Sequence, residues 1–266
     1  MITTYLIYIC LGALAGMLAG LLGIGGGLVI VPMLNTAFEL QHFPVQHLQH
    51  IALGTSMATM IFTSMSSMRA HHKRKTIKYS IFWKLTPGII IGTYLGTWVA
   101  SSLSTMFLKV FFGCFLYYVA IQMLMNIKPK GARDLPGTAG TFAAGSGIGV
   151  FSALAGIGGG TMTVPFLSWC NQTMLAAIAT AAAVGLPLAL AGTAGYVING
   201  WNATGIPGPH IGYVYLPAFL GIIVVSVITA PIGARLAHSL PVDKLKKIFA
   251  VLLFLVGSKM LWSSFM

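Results

Sequence analysis

Hydrophobic positions run in long, almost uninterrupted blocks, and polar positions fall between them in short clusters. A helix needs about 20 apolar residues to cross a bilayer. The blocks predict spans at 48–69, 80–102 and 107–127, and again at 173–198, 211–234 and 244–263. Before each set stands an apolar segment broken by glycine, at 4–38 and 138–169. The second arms of these segments, 28–38 and 161–169, are too short to cross. A membrane barrel would instead show alternating segments of about ten residues. The expected fold class is therefore an all-α polytopic membrane protein.

The two sets are related. Leu22 to Pro32 read LGIGGGLVIVP, and Ala155 to Pro165 read AGIGGGTMTVP. Gly23 and Gly156 stand 133 positions apart, as do Pro32 and Pro165. Gly12 and Gly16 fall on Gly145 and Gly149 in the same register. Further on, ALGTS at Ala52 resembles AIATA at Ala177, and GTWVASSL at Gly96 resembles GARLAHSL at Gly233. This predicts two repeats, 1–127 and 138–266, joined by a polar linker at 128–137.

Composition sharpens the class. The chain of 266 residues is 57% hydrophobic and 7% charged, with a mean hydropathy of +0.89. Soluble domains carry about 25% charged residues. The net charge of +12 would suggest nucleic acid in a soluble protein. Here the basic residues cluster in short loops, as the positive-inside rule expects, so nucleic-acid binding is set aside. The lipid bilayer, that of the bacterial inner membrane, is the expected partner. The first residues lack the basic region of a signal peptide. Cys10, Cys114 and Cys170 share no metal spacing and read as small hydrophobes.

Charge also orients the repeats. The loop RAHHKRKTIK, 69–78, is basic, while its counterpart NGWNATGIPGPH, 199–210, has no Lys or Arg. The next pair reverses: SSLSTMF at Ser101 is uncharged, and SLPVDKLKK, 239–247, is basic. Cytoplasmic loops collect Lys and Arg, so 69–78, 128–137 and 239–247 are expected inside and 199–210 outside. The repeats are then inverted, as in many secondary transporters. Each broken hairpin must enter and leave on one face, the first from outside and the second from the cytoplasm. Both chain ends are expected outside.

Irregular backbone at membrane depth is tolerated only where protein buries it or where it lines a wet cavity. Each glycine run precedes a short helix, whose first N–H groups and positive dipole end make an anion site. Two such turns facing each other would cradle one small anion. The candidate ligands are Gly25, Gly26 and Gly27 on one side and Gly158, Gly159 and Gly160 on the other. The small hydroxyls of Thr55, Ser56, Thr161 and Thr180 are candidate donors, with back-bonding to helix carbonyls as the alternative. Thr161 and Thr163 stand where the first half has Leu28 and Ile30, so the cradle is expected to be asymmetric. Pro32 and Pro165 read as structural kinks. Gly12, Gly16, Gly145 and Gly149 read as packing positions.

Glu39, Asp134 and Asp243 all fall outside the predicted spans. The seven histidines lie in or beside loops, His50 being the best placed for a role. No zinc spacing and no converging Ser/His/Asp set is present, so neither an enzyme nor a metal or cofactor is expected. No Gly-Lys-Ser/Thr follows the glycines, against a nucleotide loop.

On these residues the chain resembles the TauE/SafE sulfite exporter family, also called the 4-toluene sulfonate uptake permease family. The resemblance rests on the duplicated glycine turns with their prolines, Gly54-Thr55-Ser56, His71-His72-Lys73, and Gly92 and Gly96. It spans nearly the whole chain. It departs at Ala181, where a serine would match Ser56. The resemblance implies transport of sulfite, sulfonates or related sulfur anions. Export by alternating access suits the absence of coupling residues, since an inside-negative potential drives each negative charge outward by about 2.3 kcal/mol per 100 mV. Uptake of another small anion, or a scaffold whose glycines serve only packing, are the alternatives.

Overall fold

The computed structural model describes residues 8–17, 26–125, 133–239 and 242–265, with side chains except at 230–246 and 265. Ten helices form the described chain. They are α1 (Tyr8–Met17), α2 (Gly27–Leu40), α3 (Leu48–Lys73), α4 (Tyr79–Ser102), α5 (Thr105–Leu124), α6 (Thr138–Ala155), α7 (Gly160–Trp169), α8 (Met174–Asn199), α9 (Leu216–Ser239) and α10 (Val242–Phe265). Among the described residues four helical stretches are long and apolar enough to cross a membrane: Thr105–Leu124, Thr138–Ala155, Met174–Asn199 and Lys247–Ser264. The chain is an all-α polytopic membrane protein.

The second glycine-broken segment folds as a helix, a turn and a shorter helix, and the first shows a helix on either side of its glycine run. The predicted second arms begin within one residue of α2 and α7. Glu39, expected in a loop, lies in the last turn of α2. Residues 18–25 and 126–132 of the expected first hairpin and linker lie outside the described residues.

One predicted span starts late. His210–Ile211 and Val214–Tyr215 form a small antiparallel hairpin, with Ile211 opposite Val214, and α9 begins only at Leu216. The stretch HIGYVY is rich in β-branched and aromatic residues, which favour strand. Gly212 turns it at φ 55, a backbone that glycine adopts without strain.

The main helix contacts follow an exchange rule, although α3 also meets α5 without a comparable packing of α8 on α10 among the described residues. Helix α4 lies along α6 just as α9 lies along α1, and α2 packs on α3 as α7 does on α8. Helix α4 meets α8 as α9 meets α3, while α3 pairs with α8 and α5 with α10. Every one of these packings has its counterpart when the first five helices are exchanged for the last five.

The tight pairs are built on glycine. A methyl placed on Gly92 of α4 would stand 2.1 Å from the carbonyl oxygen of Ser146 on α6, and one on Gly149 would stand 2.6 Å from that of Ile89. In the α1–α9 pair, a methyl on Gly12 would lie 2.9 Å from Ile222 Cα and one on Gly16 would lie 2.6 Å from Ser226 Cα. Such stripes let backbones touch where lipid supplies no hydrophobic drive for helices to associate. Gly12, Gly16, Gly145 and Gly149 all lie at these contacts.

Candidate functional site

The two glycine turns meet. A methyl on Gly27, the first residue of α2, would stand 2.5 Å from the carbonyl oxygen of Gly156 and 2.9 Å from Ile157 Cα. Gly26 caps α2 at φ 78 and Gly156 ends α6 at φ 60, both left-handed and natural for glycine. Gly25 lies outside the described residues.

The second turn is rich in donors without acceptors. The amide of Ile157 donates to Ser152 O at 3.1 Å, and that of Thr163 to Gly159 O at 2.9 Å. Between them, the amides of Gly158, Gly159, Gly160, Thr161 and Met162 donate to nothing among the described residues. The hydroxyl oxygens of Thr161 and Thr163 are buried and also without partners. Gly158 and Gly159 are buried and Gly160, Thr161 and Met162 half-buried, the last three opening α7, where a helix leaves its first N–H groups without an internal partner. The cluster lies where the dipole of α7 is positive. The carboxylates are Glu39, which pairs with Lys109, Asp134, in the segment before α6, and Asp243, in the first turn of α10.

Pro32 and Pro165 are each the sixth residue of their helix. A proline there cannot donate to the carbonyl four residues earlier, which frees those of Leu28 and Thr161.

The remaining candidate hydroxyls have specific tasks. Ser56 of α3 donates to Gly156 O at 3.2 Å, tying that helix to the second turn. Thr55, fully buried, accepts the backbone N–H of Tyr215 at 3.0 Å, just before α9. Thr180, fully buried on α8, accepts that of Lys78 at 3.0 Å, just before α4. Each threonine thus holds the start of a helix from the opposite half. The fold brings Gly27, Ser56, Gly156 and the second glycine run together, and turns Thr55 and Thr180 toward these helix starts.

The structure also adds a residue. Ser64 on α3 is 6% exposed and its hydroxyl bonds to nothing among the described residues. It stands beside Gly185 of α8, which in turn faces Gly159. A lone serine late in an apolar helix carries no sequence signal; only its neighbours across α3 and α8 mark it. His50 is buried with Nε2 3.0 Å from Ala100 O, and its ring lies by Tyr213, so it ties α3 to the end of α4 and to the small hairpin. No group of three or more His, Cys, Asp or Glu gathers for a metal among the described residues.

Comparison with known proteins agrees with this architecture. The family profile described as sulfite exporter TauE/SafE matches residues 8–260. A probable membrane transporter protein of Haemophilus influenzae is 37% identical, over 98% of this chain and 99% of its own length. Probable membrane transporter proteins of Bacillus subtilis and Methanocaldococcus jannaschii are 25% and 28% identical, covering 97% and 95% of this chain and 98% and 94% of their own lengths. No solved structure matches the chain. With the family profile covering nearly the whole sequence and full-length transporter relatives beside it, the chain belongs to the TauE/SafE sulfite exporter family and is a multi-pass membrane transporter.

Proposed function

We propose that this transporter carries a small sulfur-containing anion, such as sulfite or a short sulfonate, outward across the bacterial inner membrane by alternating access. One observation carries the reading. Five consecutive unpartnered amides, Gly158 to Met162, and the free hydroxyls of Thr161 and Thr163 gather where the two glycine turns touch. Amides at a helix start suit an oxyanion, because they donate hydrogen bonds and sit in a positive field. Gly26 and Gly27 close the seat from the other side, Ser56 braces the second turn, and Thr55 and Thr180 support it from the helices behind.

Two inverted repeats supply the motion. The exchange rule among helix contacts supports this reading, as does the reversal of charge between equivalent loops. The basic loops 69–78, 128–137 and 239–247 face the cytoplasm, and 199–210 faces outward. Rocking of the halves against each other then opens the seat to one side at a time. Among the described side chains no carboxylate enters the seat, and the membrane potential drives the anion out.

The test is flux in proteoliposomes. Protein reconstituted with internal labelled sulfite is expected to release it faster when the interior is made negative. Taurine and thiosulfate in parallel rank the anions. Sulfite that leaves no faster than from empty liposomes, at any potential, removes the proposal.

A further inference from the structure

We infer that the anion rests on the second turn alone, in a seat shaped by Ser64 and Gly185, while Met60 fills the corresponding place over the first turn. This rests on the anion-carrier reading above and names the part of the seat that sets its size.

The argument follows from the repeat register. Gly27 corresponds to Gly160, and the alignment of Thr55 with Thr180 makes Met60 correspond to Gly185 and Ser64 to Ala189. Over the first turn, the Met60 sulfur lies 3.2 Å from where a methyl on Gly27 would sit, and Met60 is fully buried. Over the second turn the corresponding helix position carries no side chain. The nearest atoms to a methyl on Gly159 would be Ala181 O and Gly185 N at 3.4 Å and Gly185 Cα at 3.5 Å, all backbone. Beyond Gly185 stands Ser64. A methyl on Gly185 would lie 3.0 Å from Ser64 Oγ and 4.0 Å from Gly159 N, so hydroxyl and amide border the same small space.

Each half therefore chose oppositely. The first turn is followed by Leu28 and Ile30 and roofed by a thioether; the second is followed by Thr161 and Thr163 and roofed by glycine, with a buried serine behind. Over the second turn a guest meets the Ser64 hydroxyl and open amides, whereas over Gly27 the buried Met60 sulfur stands in the way. The donor set suits a compact oxyanion, and the glycine at 185 sets how bulky it can be.

The experiment uses the full chain in proteoliposomes with labelled sulfite. Ser64→Ala is expected to raise the KM on the order of tenfold, the loss of one hydrogen bond to a charged group, and Gly185→Ala to raise it as well, because its methyl would stand 3.0 Å from Ser64 Oγ in the space the anion needs. Met60→Leu is expected to keep the wild-type KM and rate. Wild-type KM in both Ser64→Ala and Gly185→Ala, in a protein that does move sulfite, overturns this inference and leaves the carrier reading standing. Wild-type protein that moves no sulfite overturns the carrier reading instead. A second measurement then still decides the seat. In a chain with Cys10, Cys114 and Cys170 replaced by serine, Ser64→Cys is expected to react with a sulfonate-bearing methanethiosulfonate reagent, and Met60→Cys to resist it. The reverse order, or equal resistance, overturns the inference.

Discussion

Gly27 of α2 packs directly on the carbonyl of Gly156, so the two broken segments touch backbone to backbone across the middle of the chain's fold. No side chain fits between them: a methyl on Gly27 would stand 2.5 Å from that oxygen. Gly27→Ala must push the turns apart. Overpacking of this kind costs about 1–3 kcal/mol. The expected result is a lower unfolding temperature in detergent together with loss of sulfite flux.

Gly159 behaves differently, and this separates packing from binding. A methyl there meets nothing closer than 3.4 Å, and its φ of −55 suits alanine. Gly159→Ala is expected to keep the wild-type unfolding temperature yet lower flux, because the methyl stands among the free amides. An unchanged flux would leave the second glycine run with only a packing role.

Thr55 and Thr180 hold helix starts from opposite halves through equal 3.0 Å hydrogen bonds. Valine at either position keeps the shape and strands a backbone N–H. Loss of a helix-start cap costs about 0.5–2 kcal/mol. Thr55→Val and Thr180→Val should each lower the unfolding temperature with little change in KM, and serine at the same positions should restore it. A large KM effect at unchanged stability would instead give these hydroxyls to the anion.

Lys109 of α5 is 6% exposed and pairs with Glu39 of α2 at 2.7 Å; Glu39 is 30% exposed. This ion pair pins the C-terminal end of α2 to α5. Removing one partner of a buried pair strands a charge, which is costlier than losing both. Glu39→Gln should destabilise the protein more than the double variant Glu39→Gln with Lys109→Met. Thermal unfolding of the two single variants and the double variant, read as a cycle, measures the coupling.

Sidedness is open to direct labelling. Arg74 ends α3 and is exposed, and Trp201 follows α8 and is 68% exposed. With native cysteines replaced, Arg74→Cys should react with a membrane-impermeant thiol reagent only from the cytoplasmic side, and Trp201→Cys only from outside. Reaction of both from one side would end the inverted arrangement.

Much of the fold was legible along the chain. The apolar blocks placed the long helices, because a helix in lipid must be apolar on nearly every face. The glycine runs marked both helix breaks, since left-handed backbone at Gly26 and Gly156 is a local property. The hairpin at His210–Tyr215 was hidden, because a short strand and a buried helix segment share the same hydrophobicity.

The candidate site was legible only in part. Gly158 to Thr161 announced themselves by repetition, but Ser64, Gly185 and Met60 did not. Their significance depends on which residue faces which across α3, α7 and α8, and that pairing is set by helix rotation. Likewise Thr55 and Thr180 looked alike as small hydroxyls, and only packing turned them toward Tyr215 and Lys78.

By itself, then, the order of residues determined a membrane-spanning helical chain in two related halves, each with one glycine-broken segment, because hydropathy and backbone permissiveness are properties of consecutive residues. The tertiary structure decided that the breaks touch, that Met60 roofs Gly27 while Gly185 and Ser64 border Gly159, and which hydroxyls stay free, because those outcomes depend on close approach between residues far apart in the chain.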